Sequence, residues 1–94
     1  MTPRQSVIDT EIGALVHTAM WRARVTQNQV AAALGLDQAA ISRRLRGATS
    51  WKVGEMYPLA ELLGTTVARL IPAESEVSAA VADQSATGGS VMNA

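Results

Sequence analysis

Thr26-Gln27-Asn28-Gln29-Val30-Ala31-Ala32-Ala33-Leu34-Gly35-Leu36-Asp37-Gln38-Ala39-Ala40-Ile41-Ser42-Arg43-Arg44-Leu45-Arg46-Gly47 is punctuated as two short helices with a tight turn between them. Thr26 followed three residues later by Gln29 has the form of a capping box, in which each side chain satisfies a backbone amide of the other residue. The helix started there buries Val30, Ala31 and Leu34, and Gly35 stops it where the backbone turns left-handed. Asp37 caps the next helix, Ile41 and Leu45 face inward, and Gly47 ends it. A three-residue turn containing glycine sets two such helices at a steep angle, so that the first braces and the second projects.

The flanks on both sides read as helices too. Ser6 is expected to open the first one, with Asp9 three residues on as the capping acid. Ile8, Ile12, Leu15, Val16, Ala19, Met20 and Ala23 then recur at spacings of three and four, one apolar stripe running to about Arg24. Beyond Gly47 come a loop of Ala48, Thr49 and Ser50, and Trp51, which is expected to pin it down. A fourth helix lies within Val53 to Leu63, with Met56, Leu59, Ala60 and Leu63 on its apolar side. Pro58 would remove one hydrogen bond and clash with the carbonyl of Gly54, so the helix is either kinked or begins near Met56. Thr66 is expected to cap a last turn holding Val67, Leu70 and Ile71, which Pro72 closes.

The chain thus divides into an N-terminal arm at 1–6, a helical domain at 7–72 and a tail at 73–94. The tail is rich in Ala, Ser, Gly and Val, and is expected to be mostly disordered. A helix at Ser75 to Asp83 with Val77 and Val81 on one face is the alternative, suited to a dimer contact. The fold class is all-α, a compact five-helix bundle with a flexible C-terminal tail.

Composition agrees. Ninety-four residues support one domain, and the 48 % of apolar residues consists almost wholly of Ala, Leu, Val and Ile, with no Phe. Alanine and leucine favour helices, and strand-forming aromatics are scarce. Without cysteine there is neither a disulfide framework nor a thiolate metal site. No apolar run approaches the roughly 18–20 residues that span a bilayer. The N-terminus has no signal-peptide stretch, so the expected location is the cytoplasm, at the nucleoid, or a host's cytoplasm if the chain is phage-encoded.

Net charge is zero, but its distribution is not even. Between Arg22 and Lys52, six basic residues stand against Asp37 alone, a local +5; after Pro72, Glu74, Glu76 and Asp83 sum to −3. A basic middle and an acidic tail decide partners where the whole-chain sum hides them. On the helix after Asp37, Ile41 and Leu45 take one side, and Gln38, Ala39, Ser42, Arg43 and Arg46 the other. Glutamine bonds adenine bidentately, arginine does so to guanine, serine donates or accepts, and a small alanine fits a thymine methyl. An ordinary solvated face would mix charges; here three arginines and no acid follow the cap.

These residues resemble the Cro/repressor-type helix-turn-helix of lambda-repressor-like proteins, in the pattern Thr-Gln, Ala, Leu-Gly, Gln, Ile-Ser and Gly quoted above. Leu59-Ala60-Glu61-Leu62-Leu63-Gly64 is similar to the family's fourth helix, so the likeness covers about residues 7 to 72. It implies a five-helix domain that binds double-stranded DNA as a homodimer. Gln38, Ala39, Ser42 and Arg43 match base-reading positions. Gln27 matches a phosphate-bonding residue, and Arg46, Ser50 and Lys52 match the backbone-contacting segment. Arg24 joins the backbone set, although it and Arg22 read equally well as a solvated helix end. Met20 stands where many members carry an arginine, so a structural ion pair is missing there.

His17 has no metal or catalytic partners and reads as an exposed or half-buried helix residue. Trp21 lies off the apolar stripe, where packing on the tail or a loop is favoured over a partner contact. Trp51 reads as a core anchor, since duplex readers rarely stack bases. The function expected is transcriptional regulation by sequence-specific DNA binding, as a repressor of phage or bacterial type, without cofactor, metal or visible effector site. Arginine outnumbers lysine in an alanine-rich chain, which suggests a GC-rich genome. Two rivals remain: a helix-turn-helix module acting mainly through protein contacts, as an antitoxin or polymerase-binding regulator would, and a small enzyme, for which no constellation exists.

Overall fold

A computed structural model describes residues 3–73. Its helices are α1 (Pro3–Ala23), α2 (Gln27–Leu34), α3 (Gln38–Leu45), α4 (Val53–Leu63) and α5 (Val67–Leu70), with no strand among the described residues. The expected helix at Ser75 to Asp83 and the character of the tail lie outside them.

The central pair folds by the local rules its residues follow. Thr26 Oγ1 accepts from the Gln29 amide at 3.1 Å while Gln29 Oε1 accepts from the Thr26 amide at 2.7 Å, closing the capping box. Gly35 ends α2 with φ 69°, and the Leu36 amide closes on the Ala31 carbonyl at 2.9 Å. Asp37 Oδ1 then accepts from the Ala40 amide at 2.7 Å to start α3.

Three helix ends differ from the sequence reading. The first helix begins at Pro3, not Ser6, because proline's fixed φ and missing N–H suit the first helical turn. Residues 3–6 are therefore helical, and Ser6 lies inside α1, its carbonyl accepting from Thr10 Oγ1 at 2.9 Å. Asp9 is not a cap but a buried side chain, 1 % exposed. Next, α4 runs unbroken from Val53 through Pro58, so it does not wait until Met56. The amide that Pro58 lacks would have bonded Gly54, and Gly54 is exposed, where water can serve its carbonyl. Finally, Thr66 occupies the N-cap of α5 without a side-chain cap bond.

Helix α1 ends unusually. The Val25 amide donates to Met20 O at 2.9 Å and the Arg24 amide to Trp21 O at 3.2 Å. That is the paired closure of a Schellman motif, whose left-handed residue is normally glycine. Here it is Arg24, with φ 58°.

The core gathers Ile12, Val16 and Met20 from α1, Val30 and Ala31 from α2, Ile41 from α3, Met56, Leu59, Ala60 and Leu63 from α4, and Leu70 from α5. Val7 joins the buried set although the expected stripe omitted it, while Ala23 is exposed. Ile71 is exposed too, so Leu70 is the buried anchor of the last turn. Trp51 is buried as expected. Its indole Nε1 has no hydrogen-bond partner among the described residues. An unmatched buried donor costs about 1–3 kcal/mol, a penalty that the ring's apolar burial offsets. Helix α1 packs on α3, α4 and α5, and α2 on α3 and α4, which leaves one face of α3 without a helix against it among the described residues.

Candidate nucleic-acid interface

Burial along α3 divides the helix cleanly. Ala40, Ile41 and Arg44 are buried, whereas Gln38, Ala39 and Arg43 are exposed and Ser42 is half-buried. Four of the five polar-face residues thus occupy the first two turns of a helix whose opposite side is fixed in the core. Arg46 follows at the C-cap, exposed, with Nη1 donating to Ser42 Oγ at 3.3 Å. All four base-reading candidates therefore share one accessible face, and two of them, Gln38 and Arg43, carry long side chains with bidentate geometry.

The backbone candidates stand at or next to three helix ends. Gln27 is the first residue of α2 and half-buried. Arg24 projects from the turn before α2, and Lys52 stands at the N-cap of α4; both are exposed. Ser50 is half-buried, and its hydroxyl donates to Asp9 Oδ2 at 2.7 Å. That hydrogen is occupied, so an approaching phosphate would meet the Ser50 hydroxyl oxygen already engaged.

One cation of the basic middle is not available to a partner. Arg44 is 7 % exposed and forks onto Glu55, Nε to Oε1 at 2.9 Å and Nη2 to Oε2 at 3.0 Å. Its third bond goes back to Ala40 O at 3.2 Å. Of the three arginines after Asp37, then, only Arg43 and Arg46 present charge outward. Arg44's spacing carried the warning: three residues past Ile41 and four past Ala40, it lies on the inward side. Glu55 also accepts from the Lys52 amide at 3.0 Å, which ties α4's first turn to α3. Burial by itself pushes the Glu55 carboxyl upward, but the bonds from Arg44 and the Lys52 amide, with the charges of both cations, outweigh it and hold it below its ordinary value. The bonds of Asp9 to Ser50 and of Glu55 to Arg44 were not legible in the sequence, because each spans 11 or more positions.

Residues 22–70 match the family model described as helix-turn-helix, which is of Cro/repressor type. This chain belongs to the Cro/repressor-type helix-turn-helix family. It is a DNA-binding regulator of the helix-turn-helix kind. No curated protein and no solved structure gives a significant match. Met20 is buried at 4 % exposure, so no ion pair forms at that position, and an ion pair joins α3 to α4 through Arg44 and Glu55. Among the described residues no helix is long and apolar enough to cross a membrane, and no three metal-ligating side chains stand together.

Proposed function

We propose that this chain represses transcription by binding a specific operator in double-stranded DNA, as a phage or bacterial regulator acting from a homodimer in the cytoplasm. The observation that carries the reading is the outward face of α3, where Gln38, Ala39 and Arg43 are exposed and Arg46 stands exposed at the C-cap. In this assignment Gln38, Ala39, Ser42 and Arg43 read base edges in the major groove. Gln27, Arg24, Arg46, Lys52 and the main chain at Ser50 hold phosphates. Phosphate contacts supply affinity that is blind to sequence and falls with salt, and base contacts supply the preference. One such helix reads only a few base pairs, so two-fold symmetry predicts a pseudo-palindrome with half-sites about 34 Å apart.

A protein-binding role is the second reading, and Trp21 at 81 % and Tyr57 at 65 % exposure favour it. Selection of bound duplexes from a random pool, followed by affinity at two salt concentrations, separates the two. Enrichment of a pseudo-palindrome whose advantage over random DNA survives the higher salt is the expected result. Binding without enrichment, erased by salt, would overturn the operator reading and leave the protein partner.

A further inference from the structure

Residues Gly47 to Lys52 form no helix, yet in the reading above they hold Lys52 and the Ser50 main chain against phosphates. Two carboxylates grip this segment from beneath. Asp9, 1 % exposed on α1, accepts from Ser50 Oγ at 2.7 Å and from Gln5 Nε2 at 2.9 Å; Gln5 Nε2 also reaches Ser50 Oγ at 3.4 Å. Glu55 on α4 accepts from the Lys52 amide and from the Arg44 guanidinium, which is itself bonded to the α3 main chain at Ala40. Between the two gripped positions sits Trp51, 7 % exposed. The segment also lies hard against α1 at Gly47, where an added Cβ would stand 2.7 Å from Thr10 Oγ1 and 2.9 Å from Thr10 Cα.

Negative charges beneath a phosphate-binding segment are electrostatically unfavourable for the complex. Neither acid is placed to touch DNA, since Asp9 is enclosed and Glu55 is forked by Arg44. We infer that Asp9 and Glu55 are positioning residues of the phosphate clamp, fixing the 47–52 segment in its bound shape before DNA arrives. A segment ordered in advance does not lose that conformational freedom on binding, and the saving appears as affinity. The inference rests on the DNA-binding reading and adds to it a role for two acids that face away from the ligand.

The sign of one substitution tests it. Asp9→Ala removes a negative charge, so electrostatics alone makes the variant bind DNA more tightly. Loss of positioning makes it bind more weakly, on the order of tenfold if one charge-assisted phosphate contact is lost. The slope of log K against log salt would become shallower by about 0.9, with the base preferences of the selected site unchanged. Amide hydrogen exchange at Ser50 and Lys52 in the free protein would quicken, while α2 amides stay protected. Both proteins are compared where circular dichroism shows them fully folded, and Asp9→Asn serves if the alanine variant does not fold. A folded variant that binds equally or more tightly, with an unchanged slope, overturns the inference and leaves the DNA reading intact. No binding by the unmodified chain to any selected duplex would instead sink the DNA reading, and the clamp role with it.

Discussion

Arg24 carries backbone strain beside a proposed contact. A non-glycine residue in the left-handed region costs about 1 kcal/mol, and the turn that ends α1 normally uses glycine there. Strain kept at such a place is a reason to look for what the side chain does. Arg24→Gly is expected to raise stability by up to about 1 kcal/mol, visible as a higher melting temperature, while weakening DNA binding at every sequence alike. A gain in stability with DNA affinity untouched would remove Arg24 from the clamp. In the proposed assignment Arg43 and Lys52 divide the two kinds of contact between them. Arg43→Ala should cost about 1–3 kcal/mol at one base position and flatten the preference there. Lys52→Ala should weaken specific and random duplexes equally. Parallel losses from both variants on both kinds of DNA would mean that α3 is not the reading element. Gln38, Ala39, Ser42 and Arg43 could be placed on one face from sequence alone, because helical spacing determines which neighbours share a side. Arg44 is the instructive exception among the arginines. By residue type it counted with the basic middle, and its position put it in the interior with Glu55.

Between elements, the junctions of α1 and α4 with α3 decide how α3 is held. At Gly13 an added Cβ would run into the Leu45 carbonyl oxygen, with Arg44 O 3.0 Å away. Alanine would improve α1's intrinsic helicity by about 1 kcal/mol, but backbone atoms cannot rotate away as a side chain can. Gly13→Ala is therefore expected to be destabilising by about 1–3 kcal/mol in denaturant unfolding, the usual range for overpacking. A neutral result would mean that α1 and α3 slide apart freely. The Arg44–Glu55 pair acts at the other junction, and its contribution depends on pH. Glu55 is held below the ordinary glutamate value of about 4.5, so the folded protein binds its proton less readily than the unfolded chain does. Stability from this group is present above about pH 4.5 and is lost as pH falls through the lower folded value. Urea unfolding between pH 7 and pH 3 should show that decline, and Glu55→Gln should lower stability at pH 7 and shrink the decline. An unchanged pH profile in the variant would show that other carboxylates drive the acid loss. The ion pair was unreadable because its residues stand 11 positions apart on different helices, and only the packed fold brings the two side chains together.

Over the whole molecule, net charge is zero while the stretch from Arg22 to Lys52 is basic. The six basic residues between Arg22 and Lys52 reduce to five exposed cations once Arg44 is paired, namely Arg22, Arg24, Arg43, Arg46 and Lys52. If all five met phosphates, the salt slope would reach about −4.5 per protomer, since each contributes about −0.9. A measured slope steeper than that would bring in cations from outside this stretch. The sequence by itself determined the five helices, the capping residues Thr26 and Asp37, the glycine turn and the outward face of α3. Those features depend on contacts within four residues or on helical period, both written locally in the chain. Tertiary structure alone decided that Asp9 is enclosed rather than capping, that Arg44 and Glu55 pair, that Ser50's hydroxyl is engaged, and that α4 continues through Pro58. Each of the first three joins groups far apart in sequence, whose meeting depends on how the helices pack. The fourth is a balance between one missing hydrogen bond and the burial of Met56 and Leu59 on either side of it, and only the packed core weighs the two.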